Sequence, residues 1–568
     1  MAAAALSALS LTAAEPDLVV VATTDVHGNF FPYNFIERHP WGGSMARVDT
    51  YVDSLRRELG PDRVLLLDNG DILQGQPPAY YYNFVDTTHT HLAAEVYKMM
   101  GVDAAAIGNH DVETGHAVYD RWVAECAPEV PVLGANVVDA ATGEPYLKPY
   151  TVIERGGMRV AVLGMLTPAI PMWLPENLWS GLRFEDITES ARYWAERIRR
   201  EENPDVLIGL FHTGAESEPT PAGSVENAAL PTARNVDGFD LIIFGHDHRR
   251  HASVVAAPDG TPVTLLNPAN NARAVARADI RRPAKPGERP AVKGSIVDID
   301  SLQPSKRFLS RFAPEQKAVE QYVAETVGWS DGTFASRDAF FGPSAFMDLI
   351  HRLQLDITGA DISMAAPLSM DGEIAPGELT MADMFTLYKY ENLLYVMELT
   401  GQEIKDYLEM SYAGWAATMH SPDDHMLLFG PTDGGDERRA LATPYYNFDS
   451  AAGIDYTVDL TAEPGHRVTI TGMSNGGPFN PEATYRVAVN SYRGNGGGNL
   501  LTLGAGIAPE SLAERVVWAT DHDLRYYLAE AIRRQGRIAP TVTRNWRFLP
   551  EAWVEAAAPR DAKILFKN

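Results

Sequence analysis

The chain has 568 residues, of which 45% are hydrophobic and 22% are charged, as is ordinary for a globular protein of about two or three domains. Its 75 Asp and Glu outnumber its 48 Lys and Arg, which gives a formal net charge of -27. An acidic surface argues against nucleic-acid polymers as partners, because they bind to basic surfaces. Small anions remain compatible, since a bound cation can reverse the field at one site.

Two further features of the composition narrow the class of protein. Cys126 is the single cysteine, so the chain has no internal disulfide and no thiolate cluster for a metal. No stretch approaches the roughly 20 apolar residues of a membrane span, and stable membrane insertion is therefore not expected.

The first 15 residues, MAAAALSALSLTAAE, are small and apolar and form a candidate signal-peptide remnant. The segment TAA before Glu15 is similar to a signal-peptidase site, but the usual basic segment is missing. The alternative is a frayed, Ala-rich N-terminus. If the segment is an export signal, the protein is expected in the periplasm, at the cell surface or secreted.

The first part of the chain alternates apolar runs with segments of helical spacing such as SMARVDTYVDSLRREL and SARYWAERIRREE. Strands that are apolar throughout, alternating with helices, predict a layered α/β fold. The apolar runs lie in DLVVVATTDVHG, DRVLLLDNGD, DAAAIGNHD, VPVLGANV, MRVAVLGM, DVLIGLFHTG and DLIIFGHDH.

The pattern changes after a Pro-rich, basic stretch at residues 281–305, which is a candidate hairpin or domain boundary. We place a first domain at residues 16–312 and an interdomain helix at residues 313–328. Helical and alternating segments after it predict an α+β domain at residues 329–550. Residues 551–568 are expected to form a charged tail.

Polar residues follow the apolar runs of the first domain at their carboxyl ends. Successive side chains of a strand point to opposite faces, so residues two apart point the same way, as in TDVHG and GHDH. The carboxyl edge of an open α/β sheet is where binding sites assemble. The sequence therefore predicts one pocket that contains Asp25, His27, Asp71, Asn109, His212, His246 and His248.

This ligand set predicts two metal ions. Oxygen ligands mixed with imidazoles suit Zn, Mn or Fe, and seven ligands are too many for one tetrahedral ion. They fit two ions if Asp71 bridges them. Two such cations stabilise in-line displacement at phosphorus and lower the pKa of a bound water, so that a metal-bound hydroxide can attack.

Each piece alone has a plainer interpretation. A lone His after a strand is usually a structural residue, and Gly before a turn is mostly turn chemistry. Five such pieces in order, each ending an apolar run, are what favours the metal site.

The ordered set DVH…GD…GNHD…H…GHDH resembles the calcineurin-like metallophosphoesterases. In the second half, LYKYENLLYVMELTGQEIKDYLEMS, YYNFD, NSYRGNGGG and NWRF resemble the C-terminal domain of the 5'-nucleotidase family. Within that family the chain most closely resembles the bacterial 2',3'-cyclic-nucleotide 2'-phosphodiesterase/3'-nucleotidase branch. The resemblance implies a four-layer α/β-β/α sandwich, a linking helix and an α+β substrate-binding domain, with the site between the domains.

The resemblance also implies roles for single residues. His110 would contact the phosphate and stabilise charge or protonate the leaving oxygen. Either Glu113 or Asp111 would orient His110 through its other ring nitrogen, with Glu113 favoured, and Asp111 is alternatively a helix cap. One metal would bind Asp25, His27, Asp71 and His248, and the other would bind Asp71, Asn109, His212 and His246.

In the second domain the family holds the nucleobase between two aromatic side chains. Tyr446 occupies one of these positions, and Tyr492 is the candidate for the other, although Leu500 is the residue that aligns there. Arg493 is a candidate phosphate or ribose contact, or alternatively a surface ion pair. The run GNGGG, with Asn495, Gly496 and Gly497, suits close approach of the backbone to a ligand, or alternatively a flexible turn.

The expected activity is hydrolysis of 2',3'-cyclic nucleotides and 3'-nucleotides to nucleoside and phosphate by a monomer. A 5'-nucleotidase is the alternative enzyme. However, the segment SMAAPLSMDGEIAPGEL lacks the Arg that 5'-specific members bring to the phosphate. A non-catalytic nucleotide-binding surface protein is the alternative of another class, although such proteins normally lose metal ligands.

Overall fold

A computed structural model describes residues 15–220, 223–283, 285, 288–430 and 440–566. The candidate signal-peptide segment, apart from Glu15, therefore lies outside the described residues. Among the helices of the described ranges, none is both long and apolar enough to cross a membrane.

The first sheet of the N-terminal half contains six strands in the described chain. Its central strand, Leu18–Thr23, pairs in parallel with Val64–Asp68 and antiparallel with Ala274–Arg281. The strand order across the sheet is Ala291–Asp298, Ala274–Arg281, Leu18–Thr23, Val64–Asp68, Ala104–Ala106 and Val132–Leu133.

A second sheet lies against the first and also contains six described strands. Val206–His212 is central and runs parallel to Met158–Leu166 and Leu241–Phe244. The strand order is Arg250–Ala256, Pro262–Pro268, Leu241–Phe244, Val206–His212, Met158–Leu166 and Tyr150–Arg155.

The two sheets and their helices make four layers. Alternate residues of the same strand face opposite ways: Val20 packs between the sheets, whereas Val21 packs under helices. Because both faces are covered, these strands are buried at every position, as their apolar sequences require. The predicted four-layer fold is confirmed. The covering helices are Met45–Leu59, Leu92–Met100 and His116–Cys126 on one side, and Ile187–Glu201 and Ala229–Asn235 on the other.

The Pro-rich stretch after residue 281 connects two strands of the first sheet. Ala274–Arg281 and Ala291–Asp298 pair antiparallel in register, so the stretch is a hairpin connection. The interdomain helix expected at residues 313–328 is shorter, Ala313–Val323, because residues Thr326–Ser330 form a strand of the second domain. A six-residue helix, Lys306–Arg311, precedes it.

The second domain mixes helices with three main sheets. Its five-stranded sheet, in the described chain, has the order Ser450–Ala452, Ile362–Ala365, Thr484–Asn490, Leu394–Thr400 and Val516–Ala519. Smaller sheets join Gly377–Thr380 with Thr326–Ser330 and Arg537–Ile538, and Val468–Met473 with Ile454–Asp459 and Trp546–Leu549. The helices of this domain include Ala345–Thr358, Met381–Leu387, Gly401–Trp415 and Leu524–Gln535.

The expected C-terminal tail is instead a packed helix, Glu551–Leu565. Ala557 and Phe566 join the hydrophobic core of the second domain. The carboxylate of Asp561 is buried and accepts hydrogen bonds from the backbone N–H groups of Met426 and Leu427 at 2.8 and 2.9 Å. Trp553, Val554 and Leu565 also pack against that core. The charged, Ala-rich composition of the segment is why the sequence alone indicated a tail.

We expect Asp561→Ala to destabilise the second domain by about 3 kcal/mol, because it leaves two buried N–H groups without an acceptor. It also removes the partner of His425 Nδ1, 2.6 Å away. Denaturant unfolding would measure the loss. Glu555→Ala, at an exposed position of the same helix, should change stability by less than about 0.5 kcal/mol. Equal, negligible effects of both changes would mean that the helix is loosely attached.

Candidate active site

Five loops at the carboxyl ends of the parallel strands converge on one point. Backbone conformation in these loops is unusual, because residues other than glycine adopt positive φ angles, which costs about 1–3 kcal/mol each. Such strain persists only where the surroundings enforce it. The residues and their φ angles are Asp25 (50°), His27 (49°), Asp71 (60°), His246 (68°) and His248 (56°).

Backbone hydrogen bonds connect the first two loops. The N–H groups of Asp25 and His27 donate to the carbonyls of Gly70 and Asp71, each at 2.9 Å. A Cβ atom at Gly108 would lie 2.1 Å from Asp71 Oδ1, so only glycine allows the third loop to approach this closely.

Asp111 fastens the second and third loops together. Its fully buried carboxylate accepts backbone N–H groups from Gly108, Asp71, Ile72 and Leu73 at 2.8–2.9 Å. The carboxylate is occupied by these bonds and does not orient His110. Of the roles considered for Asp111, that of a cap is the one that the structure displays.

The first group of candidate ligands is Asp25, His27 and His248. His27 Nε2 lies 3.0 Å from His248 Nε2, and His248 Nε2 lies 3.3 Å from Asp25 Oδ1. His27 Nδ1 donates to the carbonyl of Gln74 at 3.1 Å, so the Nε2 atom of the neutral ring carries a free electron pair.

The second group surrounds Asp71 and His212. His212 Nε2 lies 3.1 Å from Asp71 Oδ2 and 3.0 Å from Asn109 Oδ1, and His246 Nδ1 lies 2.8 Å from the same Asn109 oxygen. His212 Nδ1 donates to the carbonyl of Asn69 at 2.6 Å, so Nε2 is the ring nitrogen that faces Asp71 and Asn109. The structure thus brings all seven predicted ligands together.

The donor set fits divalent cations. Imidazole nitrogens, carboxylate oxygens and an amide oxygen lie about 3 Å from one another in this centre. Their electron pairs repel each other unless a shared cation or proton lies between them. Asp71 Oδ2 is fully buried and makes no hydrogen bond to any described residue, although it faces His212. A buried carboxylate oxygen without a donor is costly, and a bound cation would remove that cost.

The charges of the site suit the same conclusion. Burial alone would raise the pKa of Asp71, but the imidazoles of His212 and His110 hold it well below its usual value. Burial and the neighbouring His248 lower the pKa of His27 to about 3, so its imidazole is neutral. Burial also lowers the pKa of His212, but the charge of Asp71 outweighs it and raises the pKa to about 10, so a cation would displace the His212 proton.

His110 lies beside this centre and is partnered by Glu113. His110 Nδ1 lies 2.5 Å from Glu113 Oε2, and the backbone N–H of His110 donates to Asp71 Oδ1 at 2.8 Å. Burial lowers the pKa of His110, but the charges of Asp71 and Glu113 outweigh burial and raise it to about 9. Because Glu113 engages Nδ1, the Nε2 atom of His110 is left for a substrate.

A cleft of about 1720 Å³ opens at this site between the two domains. Tyr446, Tyr492, Gly496 and Gly497 line it from the second domain. The rings of Tyr446 and Tyr492 are 6.3 Å apart and nearly perpendicular, at 84°. They make an edge-to-face wall, so a flat ring does not fit between them as a parallel sandwich in this arrangement.

Two residues expected to contact substrate have other positions. Arg493 is 2% exposed, and its guanidinium binds Asp449 at 2.8 Å and the carbonyls of Tyr446 and Gly497 at 2.8 and 2.6 Å. Asn495 Nδ2 donates to the carbonyl of Trp173 in the first domain at 3.3 Å. Neither side chain lines the cleft: Arg493, which is buried and therefore no surface ion pair, supports the tyrosine wall, and Asn495 connects the domains.

Several residues near the site were not expected from the sequence. Glu226 Oε1 lies 3.0 Å from His246 Nε2, and the ring of Trp173 lies 5.4 Å from that of His246. Tyr390 lines the cleft beside the other tyrosines. None of the three follows a parallel strand of the first domain directly, so the strand-end pattern gave no signal for them.

Comparisons with known proteins identify the two domains. Residues 18–250 match the calcineurin-like phosphoesterase model, and residues 323–504 match the 5'-nucleotidase C-terminal domain model. The chain is 27% identical over 94% of its length to the trifunctional nucleotide phosphoesterase protein YfkN of Bacillus subtilis, and spans 39% of that longer relative. It is 26% identical to a 2',3'-cyclic-nucleotide 2'-phosphodiesterase/3'-nucleotidase of Haemophilus influenzae, covering 94% of this chain and 88% of the relative.

A solved 5'-nucleotidase precursor from Thermus thermophilus has the same fold, with a TM-score of 0.64 at 20% identity, over 94% of this chain and 99% of that one. The fold, the family matches and the metal-binding geometry together define a metal-dependent phosphoric ester hydrolase. The chain therefore contains the two domains that its motifs predicted, a calcineurin-like phosphoesterase domain and a 5'-nucleotidase C-terminal domain.

We expect Glu113→Gln to lower kcat by about 10–100-fold, because it removes the carboxylate that orients His110 and raises its pKa. Loss of that charge lowers the pKa of His110. The fall in kcat that accompanies loss of the His110 proton should therefore move to lower pH. A pH–rate profile measures both effects. Asp120→Asn, which alters a surface pair with His116, should change neither.

We expect Arg493→Lys to raise KM about tenfold with kcat within about threefold, because lysine cannot reproduce the guanidinium contacts that hold the tyrosine wall. Steady-state kinetics at saturating metal separates the two constants. Arg486→Lys, at an exposed position, is the matched control. A fall in kcat with unchanged KM would place Arg493 at the reacting phosphate instead.

Proposed function

We propose that this protein hydrolyses 2',3'-cyclic nucleotides and 3'-nucleotides, releasing nucleoside and phosphate. The observation that carries this proposal is the convergence of Asp25, His27, Asp71, His212 and His248 at one end of an interdomain cleft whose other wall is tyrosine-rich. One end suits a phosphate and the other an aromatic base.

Two divalent ions, of Zn, Mn or Fe, would be held by the seven ligands, with Asp71 between them. When bound, they supply the positive charge that phosphoryl transfer needs and lower the pKa of a water molecule. The negative net charge of the chain is no obstacle, because the attraction for phosphate is local.

The side chains of this chain divide the remaining tasks. His110 donates a proton from its cleft-facing nitrogen to the leaving ribose oxygen, and Glu113 holds the ring in place. Water first opens the bond between phosphorus and O2', giving a 3'-monophosphate. A second water then releases phosphate from O3' in the same site.

The tyrosine wall orients the nucleoside. The rings of Tyr446 and Tyr492 both line the cleft, nearly perpendicular to each other, and the backbone at Gly496 and Gly497 allows a ligand to approach closely. Stacking on tyrosine tolerates every base, so we expect broad base specificity.

The proposed preference for 2'- and 3'-phosphates is supported by the segment SMAAPLSMDGEIAPGEL, which lacks the Arg that 5'-specific members of the family bring to the phosphate. Here residues 368–373 line the cleft and include Asp371 and Glu373, but no cation. Asp371 is itself paired with the guanidinium of Arg337, and no side chain of residues 368–373 offers a positive charge to a 5'-phosphate. The H. influenzae relative is named for the proposed activity, whereas the T. thermophilus structure is a 5'-nucleotidase precursor.

Phosphate release from 2',3'-cyclic AMP, 3'-AMP and 5'-AMP, measured side by side with Mn²⁺ supplied, tests this proposal. We expect kcat/KM for the first two to exceed that for 5'-AMP at least about tenfold, a difference of 1.4 kcal/mol in transition-state binding. Turnover of 5'-AMP alone would favour a 5'-nucleotidase. Nucleotide binding without turnover of any substrate would indicate a non-catalytic protein.

Asp71→Asn is the internal control for this assay. We expect it to reduce all three activities by about 10³-fold or more, since the carboxylate serves both cations. Undiminished activity would mean that the turnover belongs to a contaminating phosphatase or that Asp71 does not bridge.

A further inference from the structure

We propose that Glu226 is a positioning residue for His246, and through it for the half of the metal centre formed by Asn109, His212 and His246. This inference rests on the proposed function, because it concerns how the second cation is held. Glu226 Oε1 lies 3.0 Å from His246 Nε2, and the two side chains are 34% and 12% exposed.

The argument begins with the two nitrogens of His246. Its Nδ1 lies 2.8 Å from Asn109 Oδ1, and its Nε2 lies 3.0 Å from Glu226 Oε1. A neutral imidazole carries one proton, and both neighbours are acceptors. The carboxylate is the stronger acceptor, so the proton stays on Nε2. Nδ1 then presents an electron pair beside the oxygen of Asn109, which is the arrangement that a cation requires.

Without Glu226, the proton can move to Nδ1 and donate to Asn109 Oδ1 instead. That tautomer blocks both ligand atoms at once, because the electron pairs of Nδ1 and of the amide oxygen are then used in a hydrogen bond. The same logic applies to His212 and His27, whose outer nitrogens donate to the carbonyls of Asn69 and Gln74. His246 differs in using a side-chain carboxylate.

Glu226 is held in place by the loop that follows His212. Its backbone carbonyl accepts hydrogen bonds from two buried hydroxyls, Thr213 Oγ1 at 2.7 Å and Thr167 Oγ1 at 2.9 Å. The N–H of Gly214 donates to Asn227 Oδ1 at 3.0 Å, which fastens the next residue as well. The position of Glu226 is therefore built by the residues after a metal ligand.

Trp173 helps to orient the imidazole ring of His246, whereas Glu226 determines which ring nitrogen carries the proton. Its ring lies 5.4 Å from that of His246 and is tilted by 30°, so it limits rotation of the imidazole. Removing the Glu226 side chain should leave this contact in place. The expected loss is therefore in metal affinity, with folding preserved.

The test compares Glu226→Gln and Glu226→Ala with Glu218→Ala. Glu218 is an exposed carboxylate that lines the same cleft, so its removal takes away the same charge without touching His246. Metal-free samples are titrated with Mn²⁺ by calorimetry, and bound metal is counted after dialysis by elemental analysis. Thermal unfolding of each metal-free variant checks that the fold persists.

We expect wild type and Glu218→Ala to bind two ions. In Glu226→Ala one of the two sites, which we assign to Asn109, His212 and His246, should lose about 10–100-fold in affinity, with the other within about threefold of wild type. Glu226→Gln should fall between them, because its amide oxygen accepts a hydrogen bond without a full charge. If the Ala variant unfolds, the Gln variant alone decides.

Three results would overturn the inference. In the first, both Glu226 variants bind two ions as tightly as wild type. In the second, the affinities of both metal sites fall equally. In the third, Glu218→Ala loses as much metal affinity as Glu226→Ala, which would mean that any lost negative charge near the cleft has this effect. In each case the proposed function stands, since wild type still binds two ions. Absence of metal from wild type would instead remove the proposed function itself.

Discussion

The geometry of the site depends on one buried carboxylate. Asp111 accepts four backbone N–H groups from two loops, and so fixes Gly108 and Asp71 relative to each other. Asp71 in turn accepts the N–H of His110 through Oδ1 and faces His212 through Oδ2. The loop strain at Asp25, His27 and Asp71 is tolerated because this network determines their positions. Asp111 itself touches no substrate in this account, but it determines the positions of Asp71 and His110, which would act on the substrate.

The pattern of polar residues at strand ends was sufficient to predict which candidate metal ligands meet at the site, for a physical reason. Parallel strands must end at a common edge, and side chains two apart must share a face, so Asp25 with His27 and His246 with His248 could be placed without a structure. Glu113 was favoured as the partner of His110 by the resemblance to the nucleotidases, which place an acidic residue three positions after that histidine, and it lies 2.5 Å from His110 Nδ1.

The same reasoning fails where contacts depend on tertiary packing. Arg493 and Asn495 adjoin the glycine run, but sequence does not tell which side of a loop faces the cleft. One turns inward to Asp449, and the other reaches Trp173 in the other domain. Glu226 belongs to a loop without periodicity. The C-terminal helix was missed because its charged, Ala-rich sequence is typical of a tail, although Asp561 and apolar side chains such as Trp553 and Leu565 attach it.

Both domains are needed to complete the cleft, and polar contacts join them. Tyr80 of the first domain donates to Asp523 Oδ2 at 2.8 Å, and the guanidinium of Arg525 lies 4.8 Å from the ring of Tyr80 and 3.9 Å from that of Phe385. A buried cation between two aromatic rings, with Glu391 3.5 Å away, makes the interface specific as well as apolar. The metal ligands and the tyrosine wall therefore face each other at a defined separation.

Anomalous diffraction from crystals of the Mn²⁺-loaded protein tests the central claim most directly. Two peaks about 3.5–4 Å apart are expected on either side of the Asp71 carboxylate. One should adjoin His27 and His248, and the other His212 and His246. A single peak, or peaks away from Asp71, would contradict a shared bridging carboxylate and with it the account of how this chain binds phosphate.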